Sequence, residues 1–131
     1  MSSNTTELHT RSSVVASAVL TRVTAHKGRE ASFATEYGGL AEKLPMLIRT
    51  AGLSQAMLYA EVRATKTGQN KLREDLIAVL GLPENAIAVL VKDTLIEHMQ
   101  HTRQALAALV WFKRFSQSVL DYKPGTGVDN E

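Results

Sequence analysis

The stretch between Pro83 and Pro124 constrains the fold of this chain more than any other feature. Its forty residues contain neither glycine nor proline, the residues that most often end a helix. One helix of that length is unusual in a small globular protein. Thr94 and Glu97 have the spacing of a capping box, which marks the start of a helix. We therefore predict two helices here, over residues 85–91 and 95–121.

The second of these predicted helices carries apolar side chains at intervals of three and four residues. That spacing predicts one buried face, formed by Leu95, Met99, Thr102, Leu106 and Leu109 and flanked by Ala105, Phe112 and Ser116. We also expect Trp111 and Phe115 to pack against a face of an earlier helix that includes Tyr37 and Leu40. Such contacts would tie the last helix to the second one.

Glycines divide the rest of the chain into segments of helical length. Residues 6–27 are predicted to form a helix that ends at Gly28, although the many valines and threonines leave a strand possible there. The segment that ends at Gly52 has the clearest helical stripe, which continues through Pro45: Phe33, Tyr37, Leu40, Leu44, Leu47 and Ile48. Shorter helices are predicted over residues 53–66 and 71–80, with a polar loop over residues 65–70 and a stop at Gly81.

These segments predict an all-α fold, a compact bundle of five to six helices. A chain of 131 residues, 44% of them hydrophobic, is long enough for one core and too short for two. We therefore expect a single domain over residues 1–131. Residues 1–4 and 124–131 are expected to be flexible ends.

Sequence features of the common enzyme classes are missing. The chain has no cysteine, which excludes disulfides, thiolate metal sites and a cysteine nucleophile. Glu74 and Asp75 are interpreted as acids that favour the start of a helix. His98 and His101 have a spacing that could hold a metal, but no further ligand is evident and we interpret them as exposed polar residues. The sequence predicts no catalytic site, no cofactor and no metal.

Signals for a membrane or for export are also missing from the sequence. No stretch approaches the roughly 18 apolar residues that cross a bilayer. The N-terminal residues have no basic start followed by an apolar block, so no signal peptide is predicted. Together with the lack of cysteine, this fits a cytoplasmic protein.

Positive charge is concentrated in the first half of the chain. The net charge is only +2, yet residues 8–73 contain ten basic and four acidic side chains. Such an imbalance favours an anionic partner, most commonly nucleic acid. The aromatic residues stand at helical spacing and are expected in the core, so phosphate contacts are predicted rather than base stacking.

Two further interpretations remain open at this point. Residues 52–56 resemble the opening of a helix-turn-helix, which would indicate a DNA-binding regulator. The turn that this motif requires about nine residues later is missing, so the interpretation is the weaker one. The other interpretation is a helical module that binds only proteins and makes no contact with nucleic acid.

Two segments of the chain resemble one known family. The first, from Tyr37 to Tyr59, contains Leu-Pro-x-x-Ile and then Gly-Leu-x-Gln; the second, from Thr102 to Phe115, contains Ala-Leu and then Trp-x-Lys-Arg-Phe. Both are similar to the small helical subunit of the type III-B CRISPR effector, the Cmr complex. The matching positions are Tyr37, Leu44, Pro45, Ile48, Gly52, Leu53, Gln55, Ala105, Leu106, Trp111, Lys113, Arg114 and Phe115. The sequence departs from the family pattern at Tyr59, Gln104 and Ser116.

The resemblance implies a non-catalytic component of an RNA-guided antiviral ribonucleoprotein. Subunits of this type stack along the complex and contact copies of themselves, the backbone subunit and the Cas10-type large subunit. They help to line the channel that holds the guide RNA and the target RNA. This implies an RNA partner for the basic half of the chain, contacted through the phosphate backbone.

The residues expected to face the RNA are chosen because they are basic and lie on or beside predicted helices. They are Arg22, Lys27, Arg29, Lys43, Arg49, Lys113 and Arg114. A second basic cluster, Lys66, Lys71 and Arg73, lies on or beside the predicted loop. We favour the first set because helix-borne cations are better fixed against a duplex.

Overall fold

The computed structural model describes residues 3–63 and 65–125, with side chains described from residue 13 onward. This part of the chain contains helices and no strand. The helices are α1 (Ser3–Thr24), α2 (Ala31–Ala51), α3 (Leu53–Arg63), α4 (Thr67–Val79), α5 (Ala86–Leu90) and α6 (Leu95–Leu120). The predicted all-α bundle is confirmed, and the first segment is a helix rather than a strand. The predicted flexible ends are residues 1–4 and 124–131. Most of them, residues 1–2 and 126–131, lie outside the described residues.

Helix α2 is the centre of the bundle and packs against α3, α4 and α6, while α1 packs against α6. Its predicted stripe is confirmed, since five of its six members are buried and Leu47 is half-buried against the core. The helix continues through Pro45 without a break. Pro45 removes one backbone donor, and the burial of Leu44 and Ile48 on either side outweighs that loss.

Helix α4 begins at Thr67, four residues before the predicted start, so the predicted polar loop is shorter than expected. The cause is a contact with α2 that is distant in sequence. The N–H of Gly68 donates a hydrogen bond to Glu36 Oε1 over 2.9 Å. A carboxylate from another helix thus satisfies one of the free donors at the start of α4, where Lys66 supplies no side-chain cap.

The start of α6 is a confirmed capping box. Thr94 Oγ1 accepts a hydrogen bond from the Glu97 N–H over 3.2 Å, and Glu97 Oε1 accepts one from the Thr94 N–H over 2.9 Å. Both contacts are local, which is why the sequence alone predicted the break between α5 and α6.

The predicted buried face of α6 is wrong over its first turns. Leu95 is 74% exposed and Met99 is 50% exposed. The buried positions of α6 are Ala105, Ala108, Leu109, Phe112 and Ser116. These residues also recur every three or four positions, so periodicity alone could not choose between two overlapping stripes. The position of α1 and α2 decides, because they pack against the second stripe.

The predicted aromatic contact between α6 and Tyr37 is made by a different residue. Phe112 is fully buried, and its ring meets the Tyr37 ring edge-on with centroids 6.3 Å apart. Trp111 and Phe115 are half-buried at the edge of the core and stack on each other at 5.5 Å. The core position that we predicted for Trp111 thus belongs to its neighbour.

The segment after α6 folds back onto α2. Asp121 adopts a left-handed conformation with φ of 63°, and the Tyr122 N–H bonds to the Ser116 carbonyl. The Tyr122 ring then lies on Gly38, and its hydroxyl donates a hydrogen bond to Glu42. The C-terminal turn is therefore fastened to the middle of α2.

Candidate nucleic-acid interface

A buried carboxylate holds the turn between α1 and α2 in place. Asp75 of α4 is only 5% exposed, and its Oδ2 accepts a 2.6 Å hydrogen bond from the Tyr37 hydroxyl. His26 Nε2 lies 2.9 Å from the same oxygen, and Arg22 forms a 3.6 Å ion pair with Oδ1. Helices α1, α2 and α4 therefore meet at one side chain.

The predicted role of Glu74 and Asp75 at a helix start is wrong. Because α4 begins at Thr67, both residues lie beyond its first two turns. Glu74 is exposed and pairs with Lys71 over 3.4 Å, whereas Asp75 faces the core. A buried carboxylate is stable there only because several donors and a cation surround it.

The Tyr37 hydroxyl remains protonated in this cluster. Burial raises the pKa of Tyr37 far above its ordinary value, and the negative charge of Asp75 raises the same pKa further. A neutral hydroxyl is a hydrogen-bond donor, so Tyr37 supplies a permanent donor to Asp75. The carboxylate in turn keeps Arg22 and His26 in position.

Three of the predicted RNA-facing residues lie around this turn. Arg22 is ion-paired with Asp75, while its side chain is still 49% exposed. Lys27 is exposed on the turn itself. Arg29 is exposed, and its guanidinium carbon lies 4.5 Å from the centre of the Phe33 ring. The structure thus brings these three cations together and restricts the motion of two of them.

A cleft of about 290 Å³ lies between this turn and the end of α6. Lys27 and Arg29 line it, and so do Glu30 and Asp121. Its charge is therefore mixed. The exposed cations of the turn, rather than the cleft, are the candidate contact surface for an anionic partner.

The predicted residues on α2 lie in a second place. Arg49 is exposed in the last turn of α2, where a cation is favoured by the helix dipole. Lys43 is half-buried, and its Nζ donates a hydrogen bond to the Tyr59 hydroxyl of α3 over 3.2 Å. Arg63, which the sequence analysis missed, lies beside the same Tyr59 ring. The four-residue spacing of Tyr59 and Arg63 on one helix was the signal that could have revealed it.

The last two predicted residues lie on α6. Arg114 is exposed, and its guanidinium carbon lies 5.5 Å from the centre of the Trp111 ring. Lys113 is half-buried. The predicted set is thus distributed over the α1–α2 turn, the α2–α3 contact and α6.

Two members of the second basic cluster, Lys71 and Arg73, lie among acids. Lys71 pairs with Glu74, and Arg73 donates a hydrogen bond to Asn70 over 3.1 Å. Arg73 also lines a groove with three acids, Glu61, Glu74 and Glu84. Negative charge so close makes this cluster a poor site for a phosphate.

The two histidines of α6 do not form a shared site. His101 Nδ1 lies 2.7 Å from Asp93 Oδ2, a contact across the start of the helix. In the part of the chain that the structure describes, no group of three or more histidine or acidic side chains is placed to hold a metal ion. Over the same residues, no helix is long and apolar enough to cross a membrane.

The helix-turn-helix interpretation also loses support. Helix α3 continues to Arg63, which lies eleven residues after Gly52, and the connection to α4 begins only after it. Helix α4 buries Leu72, Leu76 and Ile77 against the bundle and uses Asp75 in the buried cluster. The fold and the site instead define a small all-helical protein that presents basic residues on its surface.

Comparisons with known proteins agree with this class. Residues 11–119 match the family described as CRISPR-associated protein (Cas_Cmr5). A Thermus thermophilus protein named CRISPR system Cmr subunit Cmr5 is 40% identical over 88 residues, which cover 66% of this chain and 76% of that protein. The crystal structure of a CRISPR-associated Cmr5 family protein from the same organism superposes with a TM-score of 0.72 at 37% identity. The match covers 83% of this chain and 96% of that one.

The chain belongs to the Cmr5 family of CRISPR-associated proteins. The resemblance to the small helical subunit of the type III-B effector is confirmed, and so is the fold that it implied.

Proposed function

We propose that this chain is a non-catalytic cytoplasmic subunit of an antiviral Cmr ribonucleoprotein and that it lines the path of the guide RNA–target RNA duplex. Its partners in this proposal are copies of itself, the backbone subunit and the Cas10-type large subunit. It contacts the two RNAs through their phosphates and leaves the sequence to base pairing. Membership of the family supports a place in the Cmr complex, and the exposed cations of the α1–α2 turn are the contact surface in this proposal.

The observation that carries the RNA contact is the fixed group of cations at that turn. Arg22 is held by the buried Asp75, and Arg29 is held over Phe33. Cations that are already positioned lose less entropy when a phosphate binds. The contact is to the backbone, because three of the aromatic rings that could stack on bases, Phe33, Tyr37 and Phe112, are buried.

Exposed apolar side chains support the assembly with other subunits. Val91, at the end of α5, and Leu95, Ile96 and Met99, in the first turns of α6, are each at least half exposed and lie close together in sequence. Neighbouring exposed apolar residues of this kind are typical of surfaces that contact other proteins. We also infer that the chain is not itself an enzyme, since its sequence contains no catalytic motif.

The RNA contact is tested in a Cmr complex reconstituted with guide RNA. Binding of a labelled complementary target RNA is measured over a salt series for the wild type and for Lys27→Gln/Arg29→Gln. Each lost phosphate contact lowers the salt slope by about one and weakens binding of every target sequence alike. The matched control is Lys66→Gln/Lys71→Gln, which removes the same charge from the second basic cluster, where Lys71 is already paired with Glu74, and should change binding less.

Two results would contradict this proposal. If affinity and salt slope are unchanged while the complex assembles normally, the chain is a protein spacer rather than an RNA-lining subunit. If binding is lost for one target sequence only, the chain reads bases, which phosphate contacts cannot explain.

A further inference from the structure

The first turns of α6 carry a surface that is both apolar and basic. Leu95, Ile96 and Met99 are exposed apolar side chains, and Met99 follows the other two by four and three residues, which places all three on one side of the helix. Arg103 is exposed one helical turn after Met99, and Lys92 is exposed just before α6 begins. We call these five residues the α6 surface.

The acids nearest to the α6 surface already have partners. Glu97 accepts a hydrogen bond from the Thr94 N–H in the capping box, and Asp93 Oδ2 lies 2.7 Å from His101 Nδ1. Within the residues that the structure describes, the two cations of the α6 surface form no ion pair. The surface therefore combines exposed apolar area with unpaired positive charge.

A second surface combines apolar side chains with acids. Leu58 and Val62 are exposed one turn apart on α3, and Glu61 lies on the same side of that helix. Glu61 also lines a groove of about 550 Å³ between α3 and α4, together with Leu82 and Glu84 from the segment after α4. We call these five residues the α3–α4 surface.

The charge of the α3–α4 surface is negative. Glu61 and Glu84 are both exposed, and neither forms an ion pair with any residue in the described part of the chain. Glu74, the third acid of the groove, is neutralised by Lys71, and Arg73 is its single cation. Two unpaired carboxylates against one arginine leave the groove with an excess of negative charge.

We propose that these two surfaces bind each other, the α6 surface of one copy of this chain against the α3–α4 surface of a second copy. The inference rests on the proposed function, which includes contacts between copies, and it names the residues that make them. Apolar side chains on both sides would leave water together. The unpaired cations of one copy would then face the unpaired acids of the other.

The complementarity of the two surfaces identifies a second copy as the occupant. Each surface supplies the charge that the other lacks, and both belong to the same chain. RNA does not suit either of them, since phosphates would be repelled by Glu61 and Glu84 and would leave the apolar side chains of α6 in water. The contact also leaves Lys27 and Arg29 of the α1–α2 turn free for RNA.

The test measures self-association of the isolated chain, without RNA or other subunits, by sedimentation velocity over a concentration series. Lys92→Glu/Arg103→Glu and Glu61→Lys/Glu84→Lys each place like charges against each other and should weaken self-association by about tenfold. The fourfold variant restores opposite charges with their places exchanged, so it should associate nearly as well as the wild type. All four positions are exposed, so the fold should tolerate these changes.

Three controls separate the contact from a general effect of charge. Lys27→Glu/Arg29→Glu changes the net charge as much as the first double variant, but outside both surfaces, and should associate as the wild type does. Added salt should weaken association of the wild type and strengthen that of the two double variants, because it screens attraction and repulsion alike. Leu95→Ser and Val62→Ser, one on each surface, should each weaken association because they remove apolar contact area.

Two results would overturn this inference. One is a chain that remains monomeric at every concentration, and the other is a fourfold variant that associates no better than the double variants. If the isolated chain is monomeric and the same variants block assembly of the Cmr complex, the surfaces bind other subunits and the contact between copies is wrong.

The proposed RNA contact is judged separately. If the chain does not self-associate while Lys27→Gln/Arg29→Gln still weakens RNA binding, the RNA-lining role stands and only the contact between copies is wrong. If self-association follows the charges as expected while that variant binds RNA normally, the contact between copies stands and the RNA-lining role is wrong.

Discussion

Two glycines allow close contacts between parts of the chain that any larger side chain would prevent. A Cβ on Gly38 would be 2.3 Å from Cγ of Tyr122, and a Cβ on Gly68 would be 2.7 Å from the Phe33 carbonyl oxygen. Glycine inside a helix costs about 1 kcal/mol relative to alanine. Here that cost is offset, because the missing side chains let Tyr122 and α2 approach closely.

We expect Gly38→Ala to destabilise the isolated protein by about 1–3 kcal/mol, because the added methyl group displaces the Tyr122 ring. In a Tyr122→Ala background, the same change should be neutral or stabilising, since the clash is gone and alanine is the better helix former. Urea unfolding of the four proteins measures this coupling. Stabilisation by Gly38→Ala in the wild-type background would show that the ring does not need this glycine.

At the scale of the element, α6 shows why a helical stripe can mislead. Its first turns carry Leu95 and Met99 outward, while its second half buries Leu109 and Phe112 between α1 and α2. The helix is longer than the core that covers it. Its exposed first part is available for contacts with other subunits, and its buried part provides the stability.

The neighbouring aromatics of α6 should differ sharply in their contribution. Phe112→Ala is expected to reduce the free energy of unfolding by about 3–5 kcal/mol, the usual cost of emptying a buried aromatic site. Trp111→Ala should cost about 1–2 kcal/mol, because its ring is half-buried and removes less apolar surface from water. The two variants are compared by urea unfolding of the isolated chain. An equal or larger loss for Trp111→Ala would assign the core role to the tryptophan after all.

At the scale of the whole molecule, Asp75 joins three helices and the turn that carries the basic group. Contacts from Arg22, His26 and Tyr37 converge on it from α1, the turn and α2. The same cluster that stabilises the fold therefore positions the candidate RNA contacts. Damage to the cluster should affect stability and RNA binding together.

The Tyr37 hydroxyl should make this stability sensitive to alkaline pH. Its pKa is raised in the folded state, while the unfolded hydroxyl has the ordinary pKa of about 10. The contribution is therefore complete below pH 10 and declines as the pH rises above it, by about 1.4 kcal/mol per pH unit. Tyr37→Phe should lose about 1–3 kcal/mol at pH 7 and then show a shallower decline above pH 10. Wild-type and variant curves that run parallel above pH 10 would contradict this assignment.

Much of the candidate site could be predicted as residue types but not as an arrangement. The basic half of the chain identified Arg22, Lys27, Arg29 and Lys43. The spacing of Tyr59 and Arg63 on one helix is local, but nothing local indicated that Lys43 would reach the same ring, since it lies on a different helix and twenty residues from Arg63. Charge is a property of the sequence, while the grouping of charges depends on how the helices cross.

The sequence by itself determined the helices and most of their ends, because capping boxes, glycine stops and apolar spacing act within a few residues. The break at Thr94 and the stripe of α2 are of this kind. Only the tertiary structure decided which face of α6 is buried, where α4 begins and what Asp75 does. Each of these depends on a contact between residues far apart in the chain, and the free energy of such contacts exceeds the local preferences that a sequence reveals.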